Sequence, residues 1–543
     1  MANGGWKVLV VLGTAQFLMV LDQAVMNVSI SQLVADFDTE VTTIQGVITL
    51  YSLVMAALMI AGGKVGDLLG RRKVFGVGLV VYGVGSLLTA LSWSVAALTL
   101  GWSVLEGIGA AMVLPALAAL TARTYEGRDR ALAYGVLGGV SGAGIAVGPI
   151  LGGWATTYLS WRVVFAGEVV LVLFILGGMR KLPKDRGRAG AELDWLGAAL
   201  CALGLAAIVF GVLQASTWGW LQPRNSPVTP FGFSLTPFLV AAGVALLAVF
   251  CVQERRREAG GREPLVHLRL LGVPPLRGGL EMFVFQNLIL MGIFFSIPLY
   301  LQIVQGFDAF ETGLRMLPVS IALFVTALLG SRLSRRLAPR TIVRGGVGLL
   351  VASAVLLMST IEPDIDNVPF AIAMAVFGVA MGLIVSQLGN VVQSAVGEDD
   401  RGEAGGLQYT AQQVGASLGT ALIGAIVISG LVTAFSNNVN DNPKISSAVK
   451  QQVGVRLEGN VSFVSTDQVR SAAEKAGVDQ ATTDEIVDNY ADAQLLALKT
   501  GLLIAGLLAC AAFLATGALP SRAPPSPQAP ARSEDVVVAG PAL

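Results

Sequence analysis

The feature that most constrains this chain is a train of long apolar runs, recurring from one end to the other between short charged clusters. A run of about eighteen residues or more crosses a hydrocarbon core roughly 30 Å thick as a helix. A water-soluble surface is excluded by composition. Of 543 residues, 54% are hydrophobic and 13% charged, where an ordinary soluble domain carries roughly 25% charged residues. The expected fold class is therefore all-α integral membrane protein.

Apolar runs bounded by charge, Gly/Pro or Asn clusters give about fourteen spans, starting near residues 8, 44, 74, 96, 131, 163, 195, 235, 278, 312, 343, 369, 404 and 495. The first run, 8–30, contains Asp22 and Asn27 and lacks a small-residue cleavage site, so it reads as a retained span rather than a signal peptide. One side of the membrane collects Lys64, Arg71, Arg72, Lys73, Arg128, Arg130, Arg180, Lys181, Arg186, Arg188, Arg255 to Arg257, Arg332, Arg335, Arg336 and Arg340. By the positive-inside rule that side faces the cytoplasm, with both termini, and the expected location is the cell inner (plasma) membrane. Cys201, Cys251 and Cys510 all fall in apolar runs far apart, which argues against disulfides and metal sites alike.

Four motifs carry chemistry. The loop after the second span holds Gly63, Asp67, Gly70, Arg71 and Arg72, a spacing that a generic basic loop does not need. The fifth span holds Gly144, Gly148, Pro149, Gly152 and Gly153, where a proline bends the helix and small residues permit close sliding contact. Ordinary helix packing is compatible with the same glycines. The first span reads "VLDQAVMNVSIS", with Asp22 inside apolar sequence at a cost of about 2.5–3.5 kcal/mol on insertion scales. A purely structural hydrogen-bonding role is the alternative for Asp22. The sixth span opens on "SWRVVF", with Trp161 and Arg162 expected as interfacial anchors.

Together these motifs resemble the major facilitator superfamily, in particular its fourteen-span drug:proton antiporter branch, over nearly the whole chain. The resemblance implies two six-helix bundles with two extra helices between them. On that plan residues 1–190 form the N-terminal bundle, 191–253 two additional helices and 254–277 a cytoplasmic linker; 278–519 form the C-terminal bundle with an extracellular helical hairpin at 436–494, and 520–543 a disordered tail. A weak internal repeat, "GGKVGDLLGRRK" against "GSRLSRRLAPRT", fits two bundles rocking about a central site. In the second copy Arg335 and Ala338 stand where an acid and Gly are expected, which puts a second lock in doubt. The resemblance also implies that Asp67 and its loop lock one state, that the fifth span controls which side opens, and that a monomer suffices.

The chain departs from the branch at chemically important places. Span four reads "SVLEGIGAA", with Ser103 where the branch has a buried Arg and Glu106 where it has Gln; span six has Glu168 where Asn is common. Asp22, Glu106 and Glu168 are therefore the expected proton-coupling residues, with hydrogen bonding between helices as the bland alternative. Asn27, Gln286, Asn287, Phe294, Gln387, Asn390 and Gln412 are candidate substrate-cavity residues, though polar groups in spans also simply join helices.

The function expected is export of small amphipathic compounds, with cations favoured, in exchange for protons by alternating access. A dedicated exporter of an endogenous lipid, siderophore or secondary metabolite fits the sequence as well. The partners are substrate, protons and lipid bilayer, with no nucleic acid, since topology already explains the basic face. No cofactor is expected: the sequence has no G-x-x-x-x-G-K-[ST] phosphate loop, and it also lacks H-E-x-x-H, so it does not read as an enzyme.

Overall fold

A computed structural model of the chain describes residues 3–125, 127–184, 194–334, 336–397, 400–445 and 463–521. Among them, fourteen helices are long and apolar enough to cross a membrane. They are α1 Gly5–Val28, α2 Val41–Leu69, α3 Arg71–Ala90, α4 Val95–Thr124, α5 Val136–Tyr158, α6 Trp161–Lys181, α7 Trp195–Ala215, α8 Thr236–Ala259, α9 Pro274–Val304, α10 Ala309–Gly330, α11 Pro339–Thr360, α12 Asn367–Ser394, α13 Glu403–Asp441 and α14 Gln480–Ala518. A helix satisfies backbone groups within the segment, as lipid demands, except where Pro115, Pro149, Pro298 and Pro318 interrupt the ladder.

Helices α1–α6 pack among themselves, as do α9–α14, while α7 and α8 pair with each other and α7 leans on both α2 and α13. The two bundles meet along two seams, α5 against α10 and α2 against α13. Several hydrogen bonds between the bundles, at these seams and between α1 and α9, lie toward the end remote from the termini. Gln302 Nε2 donates to the Val28 carbonyl at 2.8 Å and its Oε1 accepts from Ser31. The Phe310 amide donates to Thr157 Oγ1 at 3.0 Å, and Gln45 Nε2 donates to the Thr420 carbonyl at 2.9 Å.

At the end carrying the termini, the linker between α8 and α9 is folded in rather than laid along a surface. Leu265, Val266 and Leu270 are buried, and the Val266 amide donates to Glu254 at 3.0 Å. It touches both bundles, through Lys64–Glu263 at 3.2 Å and through His267 and Arg269 to Glu403 and Asp400 at 2.7 and 3.2 Å.

Two expectations need correcting. Trp161 is not an interfacial anchor: it is fully buried, and its indole N–H donates to Asp36 at 2.8 Å while Arg162 pairs with the same carboxylate at 3.0 Å. An aromatic with a polar partner inside the protein has no reason to seek the headgroups. The last part of the hairpin expected at 436–494 is not set apart from the span either, because α14 opens at Asp479, which caps the Thr482 amide, and runs without a break into the last span. Within the same region Thr466–Lys475 is a helix of its own, opened by a Ser465–Gln468 capping box. Residues 446–462 of the hairpin, the tail beyond Ser521 and Arg335 of the second lock lie outside the described residues.

Candidate functional site: an acid cluster in the N-terminal bundle

The site grows from the crossing of α3 and α4. A Cβ on Gly85 would fall 2.8 Å from the Glu106 backbone nitrogen, and one on Gly101 would fall 2.8 Å from the Thr89 nitrogen, so only glycine lets these backbones approach. Here α4 widens into a π-helical stretch, Thr99–Glu106, which ends on the acid. Such π segments inside helices are frequent at functional sites.

The close crossing delivers Glu106 beside Thr89, whose hydroxyl donates to Glu106 Oε1 at 3.0 Å. From the other flank of α3, Ser86 and Tyr82 hydroxyls donate to Glu168 Oε2 at 2.8 and 3.2 Å. Asp22 comes in from α1, where its Oδ1 accepts the Trp102 indole N–H at 2.7 Å. Trp102 stacks flat on Tyr51 of α2, with ring centroids 4.5 Å apart and planes 5° from parallel.

Carboxylate oxygens of Asp22, Glu106 and Glu168 thus lie within 4.8 Å of one another, and none of the three residues is more than 1% exposed. They are enclosed among helices of one bundle rather than lining an open cavity. The residues acting on them are one another, Trp102, Tyr51, Tyr82, Ser86 and Thr89, with no Lys, Arg or His among them. Ser103, at the position where a buried Arg is common, spends its hydroxyl on the Val47 carbonyl at 2.8 Å. At an effective dielectric of about 20, each pair of ionised carboxylates at this spacing repels by about 3.5 kcal/mol. Three full charges cannot rest together here; the cluster suits proton binding or the holding of a cation.

The lock residues form a second, separate locus at the terminal end. Gly70, between α2 and α3, adopts φ 98°, a region that glycine enters without strain. Asp67 accepts from Arg71 Nε and Nη2 at 3.0 and 2.9 Å, and Arg72 donates to the Leu182 carbonyl at 3.2 Å. Gly63, Asp67 and Arg71 line a cleft of about 80 Å³ whose opposite wall is Glu403, Gly406 and Leu407 at the start of α13.

The glycines of α5 are contact points. A Cβ on Gly144, Gly148 or Gly152 would meet Val20, Ala24 or Val25 of α1 at 3.0, 2.4 and 3.0 Å. On the seam face, a Cβ on Gly153 would lie 2.3 Å from the Ala309 carbonyl of α10, and the Pro149 carbonyl lies 2.3 Å from where a Cβ on Gly313 would be. One helix therefore bears on both the acid-carrying α1 and the partner bundle.

The seven cavity residues do not hydrogen-bond to one another among the described residues. Asn27 donates to the Gln23 carbonyl at 2.8 Å and Asn287 to the Phe283 carbonyl at 3.0 Å, each within its own helix. Gln387 donates to the Gly330 carbonyl at 3.0 Å, joining α12 to α10. Asn390 is exposed and accepts from Ser394, Gln412 is half-buried, and Phe294 and Gln286 are buried, the latter with its carbonyl oxygen unpaired. A side-chain pair that does cross mid-span between bundles is Gln23 Nε2 to Gln413 Oε1, at 3.4 Å and one residue along from Asp22. Trp102, Tyr51 and Gln23 were not singled out by sequence; the signal for Trp102 was its place one turn before Glu106 on the same helix.

The family model described as Major Facilitator Superfamily matches residues 12–420. The chain belongs to that superfamily. Among curated relatives of this transporter, the puromycin resistance protein of Streptomyces alboniger is 33% identical over 87% of this chain and 93% of its own. The tetracenomycin C resistance and export protein of Streptomyces glaucescens is 30% identical over 79% and 77%, and the multidrug efflux pump LfrA of Mycolicibacterium smegmatis 27% identical over 94% and 95%. Among solved structures, a bacterial homolog of the human lysosomal transporter Spinster, inward-facing and unoccupied, superposes with a TM-score of 0.61 at 14% identity, covering 96% of this chain and 98% of that one. That likeness shows the fold. This superfamily member is a membrane transporter of small molecules and not an enzyme.

Proposed function

We propose that this transporter exports amphipathic compounds, cations preferred, in exchange for protons, with Asp22, Glu106 and Glu168 as the coupling group. The observation that carries the proposal is the fully buried three-acid cluster on which no Lys, Arg or His acts among the described residues. A group that costs so much to bury as an ion changes its proton load when the bundle opens to water. Its link to the substrate path is short: α1 carries Asp22 on one side and Gln23, bonded to Gln413 of the other bundle, on the next residue. The Lys/Arg distribution supports an orientation with the termini and the lock cleft on the cytoplasmic side of the plasma membrane. On that orientation the hydrogen-bonded end of the seams is the outer end, and this arrangement is closed to the outside.

Each net charge entering through about 100 mV releases roughly 2.3 kcal/mol, enough for nearly fiftyfold accumulation, so the potential drives export of an uncharged compound against one proton, or of a monovalent cation against two. The test is ethidium efflux from pump-deficient bacteria expressing the protein. Efflux abolished by a protonophore and by Asp22→Asn is expected; efflux that persists in the protonophore would refute proton coupling. A second reading, export of one endogenous secondary metabolite, is favoured by the relatives named as export proteins for tetracenomycin C and cephamycin. Well-expressed protein with no ethidium efflux would select it.

A further inference from the structure

Each acid of the cluster has one oxygen held by a local donor and one with no hydrogen-bond partner: Oδ2 of Asp22, Oε2 of Glu106 and Oε1 of Glu168. The Tyr51 hydroxyl is likewise buried, facing Asp22 without a hydrogen bond of full geometry, on a side chain within electrostatic reach of all three acids. Four unpaired oxygens at one place in a dry interior call for hydrogens between them. Tyr51 supplies one. The donors already present differ in kind. The Thr89, Ser86 and Tyr82 hydroxyls can accept as well as donate, and Thr89 and Ser86 also have carbonyl acceptors, of Gly85 at 2.9 Å and Phe165 at 3.3 Å, so none of the three requires a charged partner. The Trp102 indole can only donate, and it donates to Asp22.

We infer that Asp22, Glu106 and Glu168 form one proton-binding unit that holds two protons in this closed arrangement, on Glu106 and Glu168, with the remaining negative charge on Asp22. Two is the smallest load that leaves no pair of adjacent anions. It also turns the unpaired oxygens into donors and acceptors for one another. Besides the acids, the titratable groups facing the unit are the Tyr51 and Tyr82 hydroxyls. When opening admits water, the Glu106 and Glu168 O–H bonds break heterolytically, both protons pass to water, and the unit goes from one negative charge to three. Resting on the export reading, this makes the exchange two protons per cycle. The driving ratio at a given proton gradient is then the square of that for a single proton.

The test is infrared difference spectroscopy of the purified full-length protein in detergent and heavy water, titrated from acid to alkaline pH. The protonated-carboxyl stretch is compared in wild type and in Glu106→Gln/Glu168→Gln. We expect wild type to lose two buried protonated carboxyls in two separated steps, because the first ionisation opposes the second, and the double variant to lose neither. Loss of a single one, or of two at a shared midpoint as non-interacting groups, would overturn the inference. So would disappearance of both on adding sodium or calcium at fixed pH, which would make the cluster a metal site. The wild-type titration needs no variant to fold and no substrate. A failed ethidium assay beside an intact two-proton titration would sink the export reading and leave the unit standing.

Discussion

Trp102 does two jobs at the cluster, donating to Asp22 and stacking on Tyr51. Trp102→Phe keeps the stack and removes the donor. A hydrogen bond to a charged group contributes about 1.5–3 kcal/mol, so efflux is expected to fall by about tenfold or more and its pH profile to shift. An unchanged profile measured in the same cells would mean that the indole does not bear on Asp22. At the membrane edge, Asp36 offers a cleaner pH prediction. Burial alone would raise its pKa, but hydrogen bonds from Gln32, Trp161 and Arg162 and the Arg162 charge together hold it below the ordinary carboxylate value. A depressed folded pKa gives stability that is present above the unfolded pKa and lost as pH falls through the folded one. Thermal unfolding should therefore show Asp36→Asn less stable than wild type at neutral pH, with the gap closing below the usual carboxylate range. The three acids were legible in the sequence because charge inside an apolar run stands out. Their convergence was not, since Tyr51, Tyr82 and Trp102 read as ordinary apolar packing until the crossing of α3 and α4 is known.

At the scale of elements, α5 is the helix whose small residues decide the most. Gly148→Leu puts a side chain where even a Cβ sits 2.4 Å from the Ala24 Cβ, so α5 and α1 must separate. The expected outcome is normal membrane insertion with efflux lost, whereas Gly167→Ala on α6, with nothing within 4 Å of its Cβ, leaves efflux intact. Insertion is read from the membrane fraction and function from ethidium efflux. Full efflux by Gly148→Leu would show that the close α1–α5 contact is dispensable. Span starts read from the apolar runs fall within a few residues of the helices everywhere except α14. There the helix begins at Gln480, well before the apolar run, because its polar first turns pack on the capped helix Thr466–Lys475 and are tied by Gln494 to the Val464 carbonyl at 2.6 Å. Hydropathy sees where lipid begins, not where a helix does.

For the whole molecule, the bonds that close the seams remote from the termini set the balance between states. Gln302→Ala removes the bonds to Val28 and Ser31, each worth about 1 kcal/mol. Such a loss, about 2 kcal/mol together, shifts a two-state population by about thirtyfold. In a background with Cys201, Cys251 and Cys510 replaced by Ala, an Asn27→Cys probe should then react faster with an impermeant maleimide added outside; an unchanged rate would mean that the seam does not hold this state. The central claim, that the buried acids couple export to proton entry, is tested most directly in reconstituted vesicles by following ethidium flux and internal pH together. The account predicts that wild type moves protons opposite to ethidium and that Asp22→Asn abolishes the coupled proton movement. Proton counterflow at the wild-type rate in folded Asp22→Asn would contradict it.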